Sequence, residues 1–152
     1  MKIYLAGPLF TQADQDWLRR LKAQILIRVP AAPVEVCWPH DLFTPQAIAD
    51  WGDRAKREIF NICREQLDKA DVVVALLDGP QVDDGTAWEI GYFYAHRSSG
   101  KPIIGIRTDF RKAGDAPNAV VNLMIDCACD TIVTTVEDLL LEIGKLPIQM
   151  AW

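Results

Sequence analysis

The chain has 152 residues, half of them hydrophobic and 24% charged, which is typical of a globular protein with one hydrophobic core. Its net charge of −5 at pH 7, with the basic residues scattered, argues against binding nucleic acid or an anionic membrane through a basic face. No apolar run reaches the roughly 18 residues of a membrane span, and no secretory leader is recognisable, so we expect a cytoplasmic protein with reduced thiols.

The first half of the chain predicts two strands and three helices. Gly7 and Pro8 end the first strand, and Pro30 and Pro33 end the first helix. In chain order, the predicted elements are a strand over 2–5, a helix from Thr11 or Asp14 to Arg28 with Trp17, Leu18, Leu21, Ile25 and Leu26 on its apolar face, a strand over 34–38, a short helix over 44–51 and a longer helix over 54–69.

The second half continues the alternation of strands and helices. In chain order, it predicts a strand over 72–77, a helix from Gly85 or Thr86 to about Ser98, a strand over 102–106, a mobile polar loop over 107–118, a short helix over 119–125, a strand over 130–133, a helix over 136–145 and a tail over 147–152. This alternation predicts an α/β fold with a parallel sheet, as a single domain over 1–152.

The chain is organised around the stretch Asp83-Asp84-Gly85-Thr86-Ala87-Trp88-Glu89-Ile90-Gly91, which follows a buried strand and opens a helix. Asp83 and Asp84 can cap that helix, and Glu89 lies about one turn inside it. Ligands of doubly wound sheets bind at the carboxyl ends of the strands, so these carboxylates stand where a small molecule would. On spacing alone, an acidic cap followed by a surface glutamate remains the alternative.

The stretch from Asp83 to Gly91 resembles the signature of the nucleoside 2-deoxyribosyltransferases, in which the glutamate is the nucleophile. The N-terminal Ile3-Tyr4-Leu5-Ala6-Gly7-Pro8-Leu9-Phe10 resembles the first strand and loop of that family. Asn122-Leu123-Met124 resembles its Asn-Leu-Met segment, and the three matches follow the family's order. The resemblance implies a flavodoxin-like, doubly wound, five-stranded parallel sheet with strand order 2-1-3-4-5.

The resemblance also implies an activity, the exchange of the base of a 2′-deoxyribonucleoside for a free nucleobase. Glu89 would attack C1′ and form a covalent deoxyribosyl-glutamate, which the second base attacks, so the configuration is retained. Tyr4, on a central strand, would orient Glu89, and Asp83 would contact the base and give it a proton. No cofactor or metal is implied, and the short Cys127-Ala128-Cys129 pattern has no partner pair.

The binding residues come from several parts of the chain. Gly7 and Phe10 follow the first strand and would line the pocket, with Phe10 stacking on a base. The remaining candidates are Asp41, Asn61 and Gly85. The family often has an acid or an amide where this chain has Cys63, and some members have a glutamine where this chain has Phe43. A base preference therefore does not follow from the resemblance.

Asn122 and Met124 are the residues from which the resemblance implies a second copy of the chain as a partner. In the family the asparagine binds the sugar's 5′-hydroxyl in a neighbouring subunit, so the resemblance implies a homo-oligomer, a dimer-based hexamer in many members. Aromatic surface on the catalytic helix would supply an interface, from Trp88, Tyr92, Phe93 and Tyr94. The alternatives are a helix-capping asparagine, a core methionine and aromatics that all pack in one core.

Two other functions remain open at this point. The first is a hydrolase, a nucleoside or 5′-monophosphate N-glycosidase that uses the same glutamate with water as the acceptor. The second is a non-catalytic nucleotide-binding module, against which the set of Tyr4, Asp83 and Glu89 argues.

Overall fold

The computed structural model describes residues 1–29 and 33–147, so Pro30 and most of the predicted C-terminal tail lie outside the described residues. Five parallel strands form one sheet in the order β2-β1-β3-β4-β5, which confirms the flavodoxin-like order. The strands are β1 Lys2–Ala6, β2 Glu35–Cys37, β3 Val72–Leu76, β4 Ile103–Ile106 and β5 Thr131–Val133.

In the described part of the chain, six α-helices connect or flank the strands. They are α1 Gln12–Arg28, α2 Pro45–Trp51, α3 Ala55–Asp68, α4 Asp84–His96, α5 Leu123–Ala128 and α6 Val136–Gly144, and short 3₁₀ turns cover Pro39–Asp41 and Gly52–Arg54. Within the described residues, no helix is long and apolar enough to cross a membrane.

The sheet is covered on both faces, which follows from the near-continuous apolar strands. All five residues of β3 are buried. Alternate residues of β1 point to opposite faces, so Ile3 and Leu5 pack in the core beneath α1 and α6, while Tyr4 and Ala6 pack in the core beneath α3 and α4. A tyrosine hydroxyl is thereby brought under the helix that carries Glu89.

The helix boundaries follow their caps. Thr11 Oγ1 accepts a hydrogen bond from Asp14 N at 3.1 Å, which confirms Thr11 as the cap of α1. The prediction for the short fifth helix was four residues too early. It begins at Leu123, because the Asn122 side chain caps it and Asp115 accepts a hydrogen bond from Leu123 N at 2.8 Å.

The predicted apolar face of α1 was wrong for Leu26, whose side chain is exposed.

Candidate active site

Tyr4 and Glu89 form the centre of the site. Tyr4 is fully buried in the sheet, and its hydroxyl donates a 2.5 Å hydrogen bond to Glu89 Oε1 on α4. The two residues are 85 positions apart in the chain and meet because β1 lies beside β3, the strand that leads into α4. One carboxylate oxygen is held by the tyrosine, and the other is left for a reacting partner.

The surroundings of Glu89 shift its ionisation towards neutral pH. The pKa of the Glu89 carboxyl is raised to about 7, mainly by burial. The hydrogen bond from Tyr4 lowers the pKa, and the negative charge of Asp83 adds to the increase. Burial, together with the charge of Glu89, also raises the pKa of Tyr4 far above its ordinary value. Tyr4 therefore stays a neutral donor, and a carboxyl with a pKa near the working pH suits a catalytic role.

Asp83 is the N-cap of α4. Its Oδ2 accepts hydrogen bonds from Thr86 N at 2.9 Å and from Thr86 Oγ1 at 3.0 Å, and Thr86 is itself buried. Asp84 is exposed, and its carboxylate accepts a hydrogen bond from Gly85 N at 2.8 Å. The two neighbouring acids thus differ in exposure and in the groups that they bind. Asp83 lies near enough to Glu89 to raise its pKa, and its Oδ1 is left for a ligand.

Two thiols lie beside the Tyr4–Glu89 pair. Cys37 is the register partner of Tyr4 on β2, and Cys63 reaches the same place from α3. Burial raises the pKa of the Cys63 thiol to about 11, and the charge of Glu89 adds to this effect. Asn61 is two positions away on α3 and so lies on a different helix face. Cys63 is therefore the α3 residue beside the pair, and Asn61, predicted to bind substrate, lies on another face of the helix.

Gly7 and Phe10 follow β1 at the carboxyl edge of the sheet. A Cβ on Gly7 would lie 2.9 Å from Leu18 Cδ1, so the backbone there passes close to α1 and has no room for a side chain. Phe10 is 83% exposed, which leaves its ring free for a ligand or a second chain. Gly85 is exposed in the first turn of α4.

The Asp41 side chain forms ion pairs away from Tyr4 and Glu89. Its carboxylate pairs with Lys22 of α1 at 2.8 Å and with His40 at 3.2 Å. Burial acts to raise the pKa of Asp41, but the hydrogen bonds from Lys22 and His40 outweigh it and hold the pKa below the ordinary value. These contacts lie with the helix layer that covers the other face of the sheet. The structure does not bring Asp41 together with Tyr4 and Glu89.

Asn122 and Met124 lie at the start of α5. The Asn122 side chain accepts a hydrogen bond from Met124 N at 3.0 Å and donates one to Asp115 Oδ2 at 2.7 Å, so the helix-cap interpretation holds. The core interpretation of Met124 was wrong, because this side chain is 73% exposed. Both residues line an apolar groove of about 470 Å³ between α4 and α5.

This groove lies on the opposite flank of α4 from the nucleophile. The α4 residues that line it are Ala87, Ile90, Gly91 and Tyr94, which share one face at helical spacing. Glu89 is two positions from Ala87 and from Gly91, about 200° around the helix. Within one chain, Asn122 and Met124 are therefore separated from Glu89 by the body of α4.

The aromatic residues of α4 are divided between core and surface. Phe93 is buried and Tyr92 half-buried, while Trp88 is 45% and Tyr94 53% exposed. Trp88 also stacks on Tyr92 with ring centroids 5.1 Å apart. The interpretation that all four pack in one core is wrong for Trp88 and Tyr94.

Sequence reasoning missed Arg107. The stretch 107–118 is polar and was predicted to be a mobile loop, but Arg107 is buried and donates hydrogen bonds to backbone carbonyls after β3. Its position directly after the fourth predicted strand, at the carboxyl edge of the sheet, was the available signal. Among the described residues, no three histidine, cysteine or acidic side chains gather into a metal site.

A family model described as nucleoside 2-deoxyribosyltransferase matches residues 3–124 of this chain. The chain belongs to the nucleoside 2-deoxyribosyltransferase family. Its sequence is 35% identical, over 133 residues, to an uncharacterized protein of Ureaplasma parvum; the match covers 83% of this chain and 81% of that protein. The match to the family model confirms the resemblance drawn from the three short motifs.

Solved structures share the fold of this chain. A conserved protein from Enterococcus faecalis is 30% identical, with a TM-score of 0.76, covering 95% of this chain and 98% of that one. A 2-deoxyribosyltransferase from Bacillus psychrosaccharolyticus is 24% identical, with a TM-score of 0.75 and full coverage of both chains. At that identity, the second likeness shows a shared fold alone.

The raised pKa of Glu89 predicts an effect on stability. The folded-state pKa of about 7 exceeds the ordinary 4.5, so the free energy of unfolding falls as pH rises through that interval. Glu89→Gln keeps an acceptor for Tyr4 without the buried charge. We expect it to raise Tm at pH 8 by about 3 to 6 °C, equivalent to about 1 to 2 kcal/mol, and to have little effect at pH 4.

Thermal scans at the two pH values test this expectation. Glu65→Gln is the matched control, because Glu65 is an exposed glutamate on α3, and its Tm change should be the same at both pH values. An equal Tm for Glu89→Gln and the wild type at pH 8 would show that the Glu89 carboxylate is not destabilised by its site.

Proposed function

We propose that this chain is a nucleoside 2-deoxyribosyltransferase that exchanges the base of 2′-deoxyribonucleosides. The observation that carries the proposal is the 2.5 Å hydrogen bond from the buried Tyr4 hydroxyl to the Glu89 carboxylate. It fixes a carboxylate at the carboxyl edge of a doubly wound sheet, where ligands of this fold class bind. The same carboxyl has a pKa raised by burial, as nucleophiles and acid–base groups in active sites commonly do.

In the first half of the reaction, the free oxygen of Glu89 attacks C1′ of the deoxynucleoside. The C1′–N bond to the base breaks, and its electron pair goes to the base. Asp83, which holds the one proton of the Asp83–Glu89 pair while Glu89 is ionised, supplies that proton to the departing nitrogen heterocycle. Tyr4 holds the other carboxylate oxygen, so the nucleophile keeps one orientation. Developing positive charge on the sugar is stabilised by the adjacent carboxylate.

In the second half, the incoming base attacks C1′ of the glycosyl-enzyme from the face that the first base left. The bond between C1′ and the Glu89 oxygen breaks, and the proton of the incoming base returns to Asp83. Two displacements give net retention of configuration. No metal or cofactor is needed, since protonation activates the leaving base.

One incubation separates this function from its alternatives. The protein is mixed with deoxyinosine and free adenine, and the products are separated by chromatography. Deoxyadenosine with hypoxanthine is the expected result. Hypoxanthine with free deoxyribose would replace the transferase by an N-glycosidase, and binding of deoxyinosine without either product would replace it by a nucleotide-binding module.

We also propose that the active protein is a homo-oligomer, built from dimers and hexameric if three dimers associate. Asn122 and the exposed Met124 lie across α4 from the nucleophile of their own chain, beside an apolar groove. The exposed rings of Trp88 and Tyr94 extend the apolar surface of α4. Aromatic residues and methionine are enriched in interface cores, and closed symmetric homo-oligomers are common. In such an assembly, Asn122 of one subunit would bind the 5′-hydroxyl in another subunit's pocket.

Subunit mixing tests the shared site. Glu89→Ala and Asn122→Ala are each expected to be inactive, and mixtures allowed to exchange subunits should regain part of the activity. A mixed pair would hold one pocket with both residues intact. Asn122→Asp keeps the helix cap, so it controls for loss of α5. Sedimentation should give a mass well above 17.0 kDa. Full activity in a monomer would contradict the shared site.

A further inference from the structure

The loops that follow β3 and β4 are joined by one buried arginine. The Arg107 guanidinium donates to the carbonyl oxygen of Leu77 through Nη1, and to those of Gly79 at 3.1 Å and Arg111 at 2.8 Å through Nη2. Its side chain is only 3% exposed. A single cation thus connects the end of β3, the first loop residues after it and the loop after β4.

A second set of bonds connects the same two loops. The Asp78 carboxylate accepts hydrogen bonds from Thr108 N at 2.6 Å, from Thr108 Oγ1 at 2.5 Å and from Asp109 N at 2.9 Å. In return, Gly79 N donates to Asp109 Oδ2 at 3.2 Å. Gly79 has a φ of +109°, a conformation that L side chains rarely adopt. The backbone at 78–79 is therefore attached from both sides.

The arrangement is an expensive way to stabilise a fold. A buried guanidinium loses its hydration, and here its nearest carboxylate, Asp109, is 4.0 Å away and already pairs with Arg111 at 2.5 Å. Arg107 Nε is buried without a hydrogen-bond partner among the described residues. Apolar residues in such a place are often as stabilising as buried charges or more so. What the guanidinium adds is a fixed path for the chain, because it holds three carbonyl groups at defined positions.

The chain held in this way leads directly to the candidate active site. Pro80, Gln81 and the buried Val82 are all that separate Gly79 from Asp83. Asp83 in turn caps α4 and lies near enough to Glu89 to influence its ionisation. With so short a connection, a displacement at Gly79 moves Asp83 relative to Glu89, and about 1 Å of misplacement at a reacting group can reduce rates a hundredfold.

We propose that Arg107 is a positioning residue that holds the loop from Leu77 to Asp83, and thereby sets Asp83 in place beside Glu89. Its kinetic consequence rests on the proposed function; its structural consequence does not. Without the guanidinium, Asp83 keeps its bonds to Thr86, but the loop that leads into it is no longer fixed, so its carboxyl is placed less closely where a departing base needs its proton. The chemical step then slows, while the pocket surfaces that bind the nucleoside are unchanged.

Arg107→Lys is the test, because it keeps the charge and loses the fork that reaches several carbonyls. Arg97→Lys is the matched control: Arg97 also donates to a carbonyl, Lys101 O at 3.0 Å, and pairs with Asp130, but it does so at the amino ends of the strands. We expect kcat to fall about tenfold or more in Arg107→Lys, with KM within about twofold of wild type. Arg97→Lys should leave both unchanged.

Two readouts do not depend on turnover. Amide hydrogen exchange over 79–86 should be faster in Arg107→Lys than in wild type and Arg97→Lys, and the Glu89 carboxyl, followed by ¹³C NMR, should titrate at a lower pH as Asp83 moves away. If Arg107→Lys does not fold, Asp78→Asn weakens the second set of bonds and should give the same changes.

Unchanged exchange over 79–86 and an unchanged Glu89 titration in the folded variant would overturn the positioning role. Equal losses of kcat in Arg107→Lys and Arg97→Lys would also overturn it, since a general loss of stability would then explain both. A wild-type protein without turnover would overturn the proposed function alone, because the exchange and titration results still decide what Arg107 does.

Discussion

Replacing Glu89 with alanine is expected to lower the rate of base exchange by roughly four orders of magnitude or more, because the covalent path disappears with the nucleophile. No other carboxylate in the described site takes its place. Asp83 is committed to the α4 cap through Thr86, and Asp41 is paired with Lys22 on the other helix layer. The fold should survive, since the change removes a charge whose burial is unfavourable and leaves the apolar contacts of Ile90 and Phe93 in place.

The measurement is single-turnover conversion of deoxyinosine in the presence of adenine, with enzyme in excess. Glu65→Ala, which removes an exposed glutamate from α3, is the control and should exchange bases at the wild-type rate. Wild-type protein quenched during turnover should carry an added deoxyribosyl mass on the peptide that contains Glu89. Turnover near the wild-type rate by a folded Glu89→Ala protein would remove Glu89 from the mechanism.

The second large effect is expected from Asp83→Asn, which keeps the side-chain cap of α4 but removes the acidic proton. Asparagine is as good an N-cap as aspartate, so its side-chain oxygen can still accept the hydrogen bond from Thr86 N. The amide has no acidic proton to give to a departing base. Loss of general acid catalysis is expected to lower the rate about 10²- to 10⁴-fold for deoxyinosine.

A substrate that needs no protonation identifies the cause of that loss. The base of 2′-deoxy-7-methylguanosine already carries a positive charge, so its release should be almost as fast in Asp83→Asn as in wild type. Asp84 is the exposed neighbour of Asp83, so Asp84→Asn is the matched control. It should leave the rate with both substrates almost unchanged. A damaging Asp84→Asn beside a silent Asp83→Asn would mean that the acid is the other residue of this loop.

The same variant has a consequence for the pH profile. Burial raises the pKa of the Glu89 carboxyl, and the negative charge of Asp83 raises it further, to about 7. With 2′-deoxy-7-methylguanosine, whose base leaves without a proton from Asp83, the reaction needs only the Glu89 carboxylate, so activity should fall as pH drops through that value. Removing the charge of Asp83 lowers the pKa of Glu89, and the acid limb of the profile should move to lower pH in Asp83→Asn.

Local signals were sufficient for most of the secondary structure. The residues of β3 are all buried, and their apolar run is visible in the sequence. In α1, the buried residues are Leu18, Leu21 and Ile25, whose helical spacing is equally visible. The α5 boundary was missed for the opposite reason. Its start depends on Asp115, a residue seven or eight positions away that binds Asn122 and Leu123 across a turn.

The sequence by itself determined the fold class, through the alternation of strands and helices, and the family, through three short motifs, because both patterns can be read without knowing what packs against them. The motif around Glu89 also predicted a central carboxylate. The family resemblance implied Tyr4 as a partner of that carboxylate, and only the tertiary structure decided its other neighbours. Tyr4 is 85 residues from Glu89, Cys63 carries no local signal for what it contacts, and Arg107 offered only its position after the fourth predicted strand. Strand order in the sheet brings these groups together, and their burial there shifts the ionisation of Glu89, whereas an isolated motif leaves a carboxyl at its ordinary pKa.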